Sequence, residues 1–456
     1  MKLITKFKNR YNNITYSTYK TENGITVLHL DNPATIDFDF AITFKAGTSF
    51  EINARVPKGT AHYLEHMLLN PNDRFLTKEE IDKFEQGSKE RPALDINAMT
   101  TRKNIYLTSY TNEKGYMRAM ERLESIVHFS KEKISEQMEK ERGIILAEKS
   151  RKAKKEKNTL LQRLNFLFKD ILDEFSYDVL GEPDDIKSIS VLNLEKYFKS
   201  RFITGNCVFA IQSKGELSEK VQNKLEAISR QIKEGKQDQH NVVELKNKLR
   251  IGTFKDDRAN GVHISFIYFN KVESETDYKV YVKTYLTFKL LDWLAFDVLR
   301  QEEGLIYDFS VFRNSGFSYD YEMRGFKFGT EKEKTKETLK ELHTLLYKKA
   351  FQFLNSERGR EWFDNVISMY IFPRSIKFDS ELAENDSTGF LENKDLFNDN
   401  IAVQEAKELR IEDIKDCLSE LVNTPPHIWI EADMDDKEMK TLIKESPFEK
   451  QFNSKK

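Results

Sequence analysis

The chain has 456 residues, 39% of them hydrophobic and 12% aromatic, which is too long for one ordinary core and too apolar for a disordered polymer. Its 73 basic and 75 acidic residues leave a net charge of -2, so bulk charge gives no argument for nucleic acid or an anionic membrane as partner. Its two cysteines, Cys207 and Cys417, exclude a disulfide framework and a cysteine-based zinc site.

The basic start Met1–Lys8 is followed by no apolar run of the kind a secretory signal or anchor needs, and the expectation is a soluble, cytoplasmic protein. Asn23-Gly24 predicts a turn, and the β-branched run Gly24–Leu30 a strand after it. Phe38–Phe44 largely alternates apolar and polar residues and predicts a half-buried strand. A short helix is expected near 60–69, a strand over Asn104–Tyr110, and helices over about 115–128, 131–157 and 158–174. Cys207–Ile211 has the composition of a buried strand. Composition then turns polar, which places a linker, with parts of its flanking elements, at 236–258 between a first domain, 1–235, and a second, 259–456. The second half repeats the plan. A strand at Gly261–Phe269 precedes an amphipathic helix near 277–303. Strands at Phe309–Phe312 and near Phe326, a helix over 331–354 and a last strand, His427–Ala432, follow. Two α/β halves of similar order suggest an internal duplication, with no residue-level repeat behind it.

The chemistry centres on His62-Tyr63-Leu64-Glu65-His66. Residues four apart on a helix share one face, so His62 and His66 can offer imidazole nitrogens to a single metal ion. Zinc takes such ligands in a tetrahedral shell with one position left for water, and Glu65 is placed to take a proton from that water. This order of residues is the inverzincin signature. Only eight histidines occur in the chain, which makes a chance match uncommon. The alternative is a pair of helical histidines satisfied by hydrogen bonds. A third ligand is sought on the predicted helix 131–157, which carries Glu132, Glu136, Glu139, Glu141, Glu148 and Glu156. Most of these belong in solvent. Glu148 follows Ile144-Ile145-Leu146-Ala147, the most apolar part of that helix, and is the one expected to point inward. Glu141 lies two turns earlier on the same face and is placed to orient the ligands.

With these residues in view, the chain resembles the pitrilysin/insulinase family of zinc metallopeptidases, which includes the mitochondrial processing peptidase. Gly47-Thr48-Ser49-Phe50-Glu51 and Gly59–Met67 are similar to the family's lead-in and metal motif, and Glu141–Glu148 resembles the segment with its glutamate ligand. The resemblance implies one Zn2+ per chain, held by His62, His66 and Glu148, with Glu141 in support. Asn97-Ala98-Met99-Thr100-Thr101, followed by Tyr106, resembles the edge strand that pairs with substrate backbone, which implies substrate binding at Asn97 and Ala98. Leu299–Tyr307 looks like the family's Arg/Tyr element, which implies that Arg300 and Tyr307 contact substrate near the scissile bond. A guanidinium and a phenol there would donate to an oxygen that becomes an oxyanion. The alternative for this pair is purely structural, an arginine at a helix end and a tyrosine opening a strand. The implied fold is α+β: two homologous α/β sandwich domains, each a mostly antiparallel sheet packed with helices. Two departures stand out. Leu68–Phe75 replaces an expected Gly-Thr turn, and the spacing from His66 to Glu148 is long, with Gln86–Arg91 as the place for the extra residues.

These features together predict a zinc metalloendopeptidase for unfolded peptides bound as an added strand, with Glu65 as general base and proton donor to the leaving amine. The alternatives are a processing peptidase dedicated to one precursor and a non-catalytic scaffold subunit of the same fold. The resemblance also implies a homodimer, or a heterodimer with a degenerate relative, in which Arg300 and Tyr307 face the partner's zinc site. The basic run Lys149–Lys157 is expected to be a solvated helix end that complements the helix dipole. His29, His128, His240, His263, His343, His427 and both cysteines are expected to be structural or surface residues.

Overall fold

Strands β1 (Lys2–Lys8), β2 (Thr15–Lys20), β3 (Thr26–Asp31), β4 (Asp37–Phe44), β5 (Asp95–Thr100), β6 (Ile105–Asn112) and β7 (Cys207–Ser213) form one sheet in the order β1-β2-β3-β7-β4-β6-β5. The apolar run of β7 is explained by its place, because this central strand buries each residue from Cys207 to Gln212. β1 is an edge and is almost wholly exposed, and its Lys2, Lys6 and Lys8 discourage pairing with another chain. β5 is the opposite edge, bonded among the described residues only to β6, with Asn97 opposite Thr108 and Ala98 opposite Leu107. These details come from a computed structural model, which describes residues 1–10, 13–155, 178–237, 247–271, 277–314, 321–371, 390 and 398–453.

Five helices of this region matter for function: α1 (Glu51–Ala54), α2 (Thr60–Leu69), α3 (Lys78–Glu85), α4 (Tyr116–Ile126) and α5 (Lys131–Lys155). α3 starts at a capping box in which Thr77 and Glu80 satisfy each other's backbone donors. The polar turn 86–91 then closes α3, with the Arg91 guanidinium donating to the carbonyls of Lys83 and Gln86. α2 and α5 are tied by the Tyr63 hydroxyl, which donates to the carbonyl of Met138.

A second sheet is built from β8 (Arg250–Lys255), β9 (Val262–Lys271), β10 (Asp308–Asn314), β11 (Tyr321–Thr330) and β12 (His427–Ala432), in the order β10-β11-β9-β12-β8. Its core packs Ile264, Phe266, Phe326, Phe328, Ile428 and Ile430, all buried, beside helices that bury Leu286, Leu290, Leu339 and Leu342. Taken from the parallel pair outward, the two sheets are β3-β7-β4-β6-β5 and β8-β12-β9-β11-β10. In both, the order is first, last, second, fourth and third strand of five, and only the first-last pair is parallel. The duplication expected from element order is therefore present in strand topology, and both sheets are mostly antiparallel.

The chain divides into two compact units, Met1–Val242 with Ser375–Asn398, and Val243–Arg374 with Asp399–Lys456. Two features refine the expected division. The polar stretch 236–258 is not all linker, since β8 lies inside it and pairs with β12. The second domain is also interrupted, since Phe390 packs on the first unit's cluster of Ile14, Tyr16, Leu28, Leu30, Ala41, Val208 and Ala210. The predicted helix 158–174 lies outside the described residues. Among the described residues, no helix is long and apolar enough to cross a membrane.

Candidate metal centre

α2 brings His62 and His66 onto one face, with ring centroids 4.6 Å apart. α5 brings Glu148 to them: its Oε2 lies 3.7 Å from Nε2 of His62 and 3.6 Å from Nε2 of His66. Ligand atoms about 2.0–2.2 Å from one tetrahedral ion stand roughly 3.3–3.6 Å apart. The two carboxylate–imidazole distances lie close to that spacing, and the three atoms, all within 4.8 Å of one another, form a group that could hold one metal ion. His62 is not a histidine satisfied by hydrogen bonds, because its buried Nδ1 has no such partner among the described residues. Burial, with the neighbouring His66, lowers its pKa to about 4, so its ring is neutral at pH 7 and keeps a lone pair for a metal.

His66 is oriented from behind, with Nδ1 3.3 Å from Oε2 of Glu141. Burial disfavours its charged form, but the bond to Glu141 and the charges of Glu65, Glu141 and Glu148 outweigh this and raise its pKa. Glu148 shows the converse. Burial pushes its carboxyl up, yet His62, Lys152 and His66 hold it below the usual range. Its two oxygens have separate tasks, since Oε2 faces the imidazoles while Oε1 is 3.1 Å from the ammonium of Lys152.

Glu65 is buried beside this cluster, and burial raises its pKa. The Thr100 hydroxyl donates to its Oε2 at 2.9 Å. Thr100 belongs to β5, whose alternation leaves Ala98 and Thr100 half-buried and Asn97 and Met99 exposed. Asn97 accepts the Ala98 N–H at its own Oδ1, 2.9 Å away.

Arg300 and Tyr307 lie in the second unit. Arg300 sits on a π-helical turn, Ala295–Glu302, that continues the helix Tyr278–Leu294, and its guanidinium lies 5.1 Å from the ring centre of Phe296. Gly304, at φ +62°, reverses the chain after this turn, and Leu305 N–H returns to the carbonyl of Leu299. Tyr307, 44% exposed, follows, its N–H bonded to the carbonyl of Gly329.

The remaining histidines hold other posts. His29 and His427 are buried, His263 is exposed, His128 faces Asp73 at 3.1 Å and His343 stacks on Tyr347, while His240 lies outside the described residues. Both cysteines are buried and free. Lys149 departs from the expected solvated helix end, because it is 3.3 Å from both Asp178 and Glu182. Three neighbours of the site escaped sequence reasoning. Thr100 had a signal, the strand period that puts it on the face of Ala98, and Lys152 had one in its helical spacing from Glu148. Glu51, which caps α2, closes the lead-in Gly47–Glu51 that resembles the family's, but its spacing did not point to the helix it caps.

Residues 26–169 match the family model of insulinase (peptidase family M16), and residues 188–352 that of the peptidase M16 inactive domain. A probable mitochondrial-processing peptidase subunit beta from Arabidopsis thaliana is 24% identical over 193 residues, which span 41% of this chain and only 34% of that protein. Among solved structures, a peptidase M16 inactive domain from Pseudomonas fluorescens aligns with a TM-score of 0.72 at 16% identity, covering 92% of this chain and 98% of that one. The periplasmic protease PqqL from Escherichia coli aligns with a TM-score of 0.74 at 14% identity, covering 97% of this chain and 50% of that one. Pitrilysin aligns with a TM-score of 0.72 at 15% identity, covering 95% of this chain and 47% of that one. With one family matched in both halves and its fold shared along nearly the whole length, the chain belongs to peptidase family M16, the insulinase or pitrilysin family.

Proposed function

We propose that the chain is a zinc metalloendopeptidase acting on unfolded peptides. The observation that carries this reading is the convergence of His62, His66 and Glu148 on one point with a buried carboxylate, Glu65, beside it. Membership of family M16 supports zinc as the metal. Bound zinc would polarise a peptide carbonyl and acidify a water molecule. Glu65 then serves as base and acid. Thr100 occupies its Oε2, and Oε1, with no hydrogen bond from the described residues, is the atom that accepts the proton and returns it to the leaving amine. The raised pKa suits a group that must both take and give a proton near neutrality. The open edge of β5 offers main-chain pairing, which selects extended peptides over folded proteins.

Arg300 and Tyr307 fit a role in stabilising the oxyanion. The chain spans about half the length of PqqL and pitrilysin. That ratio supports a pair of chains in which the second unit of one completes the site of the other.

Glu65→Gln tests the chemistry. The variant is expected to keep one zinc per chain and to lose roughly 100- to 10,000-fold in cleavage of an unfolded peptide. Full activity would overturn the assignment. Mixing Glu65→Gln chains with Arg300→Ala chains tests the pairing. Activity should return in the mixture, and its absence at every ratio would count against a shared site.

A further inference from the structure

The helix that carries both histidines begins where no local side chain can cap it. Gly59, its N-cap, is at φ +86°, and a Cβ there would stand 2.4 Å from the carbonyl oxygen of Leu180. A helix start has several N–H groups without internal partners, and buried ones are costly to leave unmade. Glu51 supplies the acceptors from eight positions earlier. Its carboxylate is fully buried, with Oε2 accepting the Gly59 N–H at 3.0 Å and Oε1 the Ala61 N–H at 2.7 Å. The negative charge also meets the positive end of the helix dipole.

The opposite end is held by a charge of opposite sign. Arg122 is buried on α4, and its Nη2 donates to the carbonyl of Leu69, the last residue of α2, at 2.8 Å. The same guanidinium is fixed by Glu85 at 2.7 Å and Ser125 at 3.1 Å. Glu51 is itself pinned through the segment before it. Tyr197 donates to the carbonyl of Gly47 at 2.7 Å and Arg201 to that of Lys45 at 3.0 Å. The N–H groups of Gly47 and Ser49 bond to the carbonyls of Lys103 and Arg102, in the turn between β5 and β6. That turn follows directly on Thr100. One network therefore sets the start of α2 and the strand that holds Glu65.

We propose that Glu51 and Arg122 are positioning residues that clamp α2 along its axis and so fix where His62, Glu65 and His66 stand relative to Glu148 and Thr100. The inference rests on the zinc reading above. Neither residue touches the three ligands, so each acts only through the helix.

The test is Glu51→Gln, which keeps the shape but replaces one acceptor with an amide donor and removes the charge. Zinc affinity of the full chain is measured by chelator competition, and backbone hydrogen exchange of residues 59–63 is measured without metal. Glu226→Gln is the control, a buried carboxylate bonded to the Met1 amino group and the Glu22 N–H. Glu51→Gln is expected to weaken zinc by about 10- to 100-fold, the cost typical of outer-shell changes, and to speed exchange in the first turn of α2. The control is expected to lower the melting temperature without moving zinc affinity. A folded Glu51→Gln chain with parental zinc affinity and parental exchange overturns the proposal, as does a control that weakens zinc equally. If Glu51→Gln fails to fold, Arg122→Lys replaces it. This variant keeps the charge but offers one nitrogen where Nε, Nη1 and Nη2 each hold a separate partner, so weaker zinc binding supports the clamp and parental affinity overturns it. If the parent chain takes up no zinc, the zinc reading falls, while the exchange measurement still decides whether Glu51 holds α2.

Discussion

The two units share five strands in one order and differ in the helices between the second strand and the third. In the first unit this segment contains α2, with His62, Glu65 and His66 on one short helix. In the second it is the helix Tyr278–Leu294 and its π-helical extension to Glu302, which contain no histidine and bury Val282, Leu286, Leu290, Leu291 and Leu294. The scaffold therefore does not dictate the chemistry. Buried polar groups cost stability wherever they lack partners, and the first unit tolerates them where a metal and a substrate would supply those partners. The second unit fills the same place with leucines.

Substitutions can break this contrast. The largest effect is expected from Glu148→Ala, which should lower zinc affinity by more than the roughly 100-fold typical of outer-shell changes. Asp292→Ala, on the second unit's helix, should leave zinc unchanged. Equal effects in a chelator titration would erase the distinction between the units. Arg300→Ala comes next. It should leave zinc stoichiometry intact and reduce peptide cleavage by roughly 100-fold, the cost of one oxyanion donor, which assigns the second unit a role in the transition state and none in metal binding. Glu141→Gln should weaken zinc by about 10- to 100-fold while leaving one ion per chain at saturation.

The smallest expected effect is one the units share. Each buries a histidine in its sheet, and burial lowers the pKa of His29 to about 4 and of His427 to about 3. A folded-state pKa below the unfolded one favours the neutral ring. Stability is therefore complete above about pH 6.5 and is lost as pH falls toward the folded values. For His29 the loss is about 1 kcal/mol between pH 7 and 5.5. His29→Gln should flatten part of this acid limb in thermal melts, and an unchanged slope would remove His29 from the account.

What was legible in the sequence follows from where each interaction is made. His427–Ala432 is a strand at the expected residues because its apolar run has one use, a central place between two neighbours. The His62-Glu65-His66 motif was legible because its residues lie within four positions of one another on one helix. Glu148 was legible because the apolar run before it fixes the inward face of α5. By contrast, β1 and β2 were missed, since the exposed lysine-rich β1 shows no apolar alternation. α3 was missed although Thr77 and Glu80 spell a capping box. β8 falls in a stretch whose polar composition reads mainly as linker, because it is a half-buried edge strand. Its partner β12 lies far along the chain, and no local pattern reports such a pairing. Glu51, Arg122 and the ion pairs of Lys149 are likewise tertiary, with partners chosen by the fold and not by spacing.

The central claim is that one zinc-dependent peptidase site resides in the first unit and none in the second. The most direct measurement is zinc content together with peptide cleavage, made on the parent chain and on a His62→Ala/His66→Ala chain that remains folded. The account predicts one zinc per parent chain, cleavage abolished by chelator and restored by zinc, and neither zinc nor cleavage in the double variant. Cleavage at the parental rate by the metal-free double variant, or a full zinc equivalent retained in it, would contradict the account.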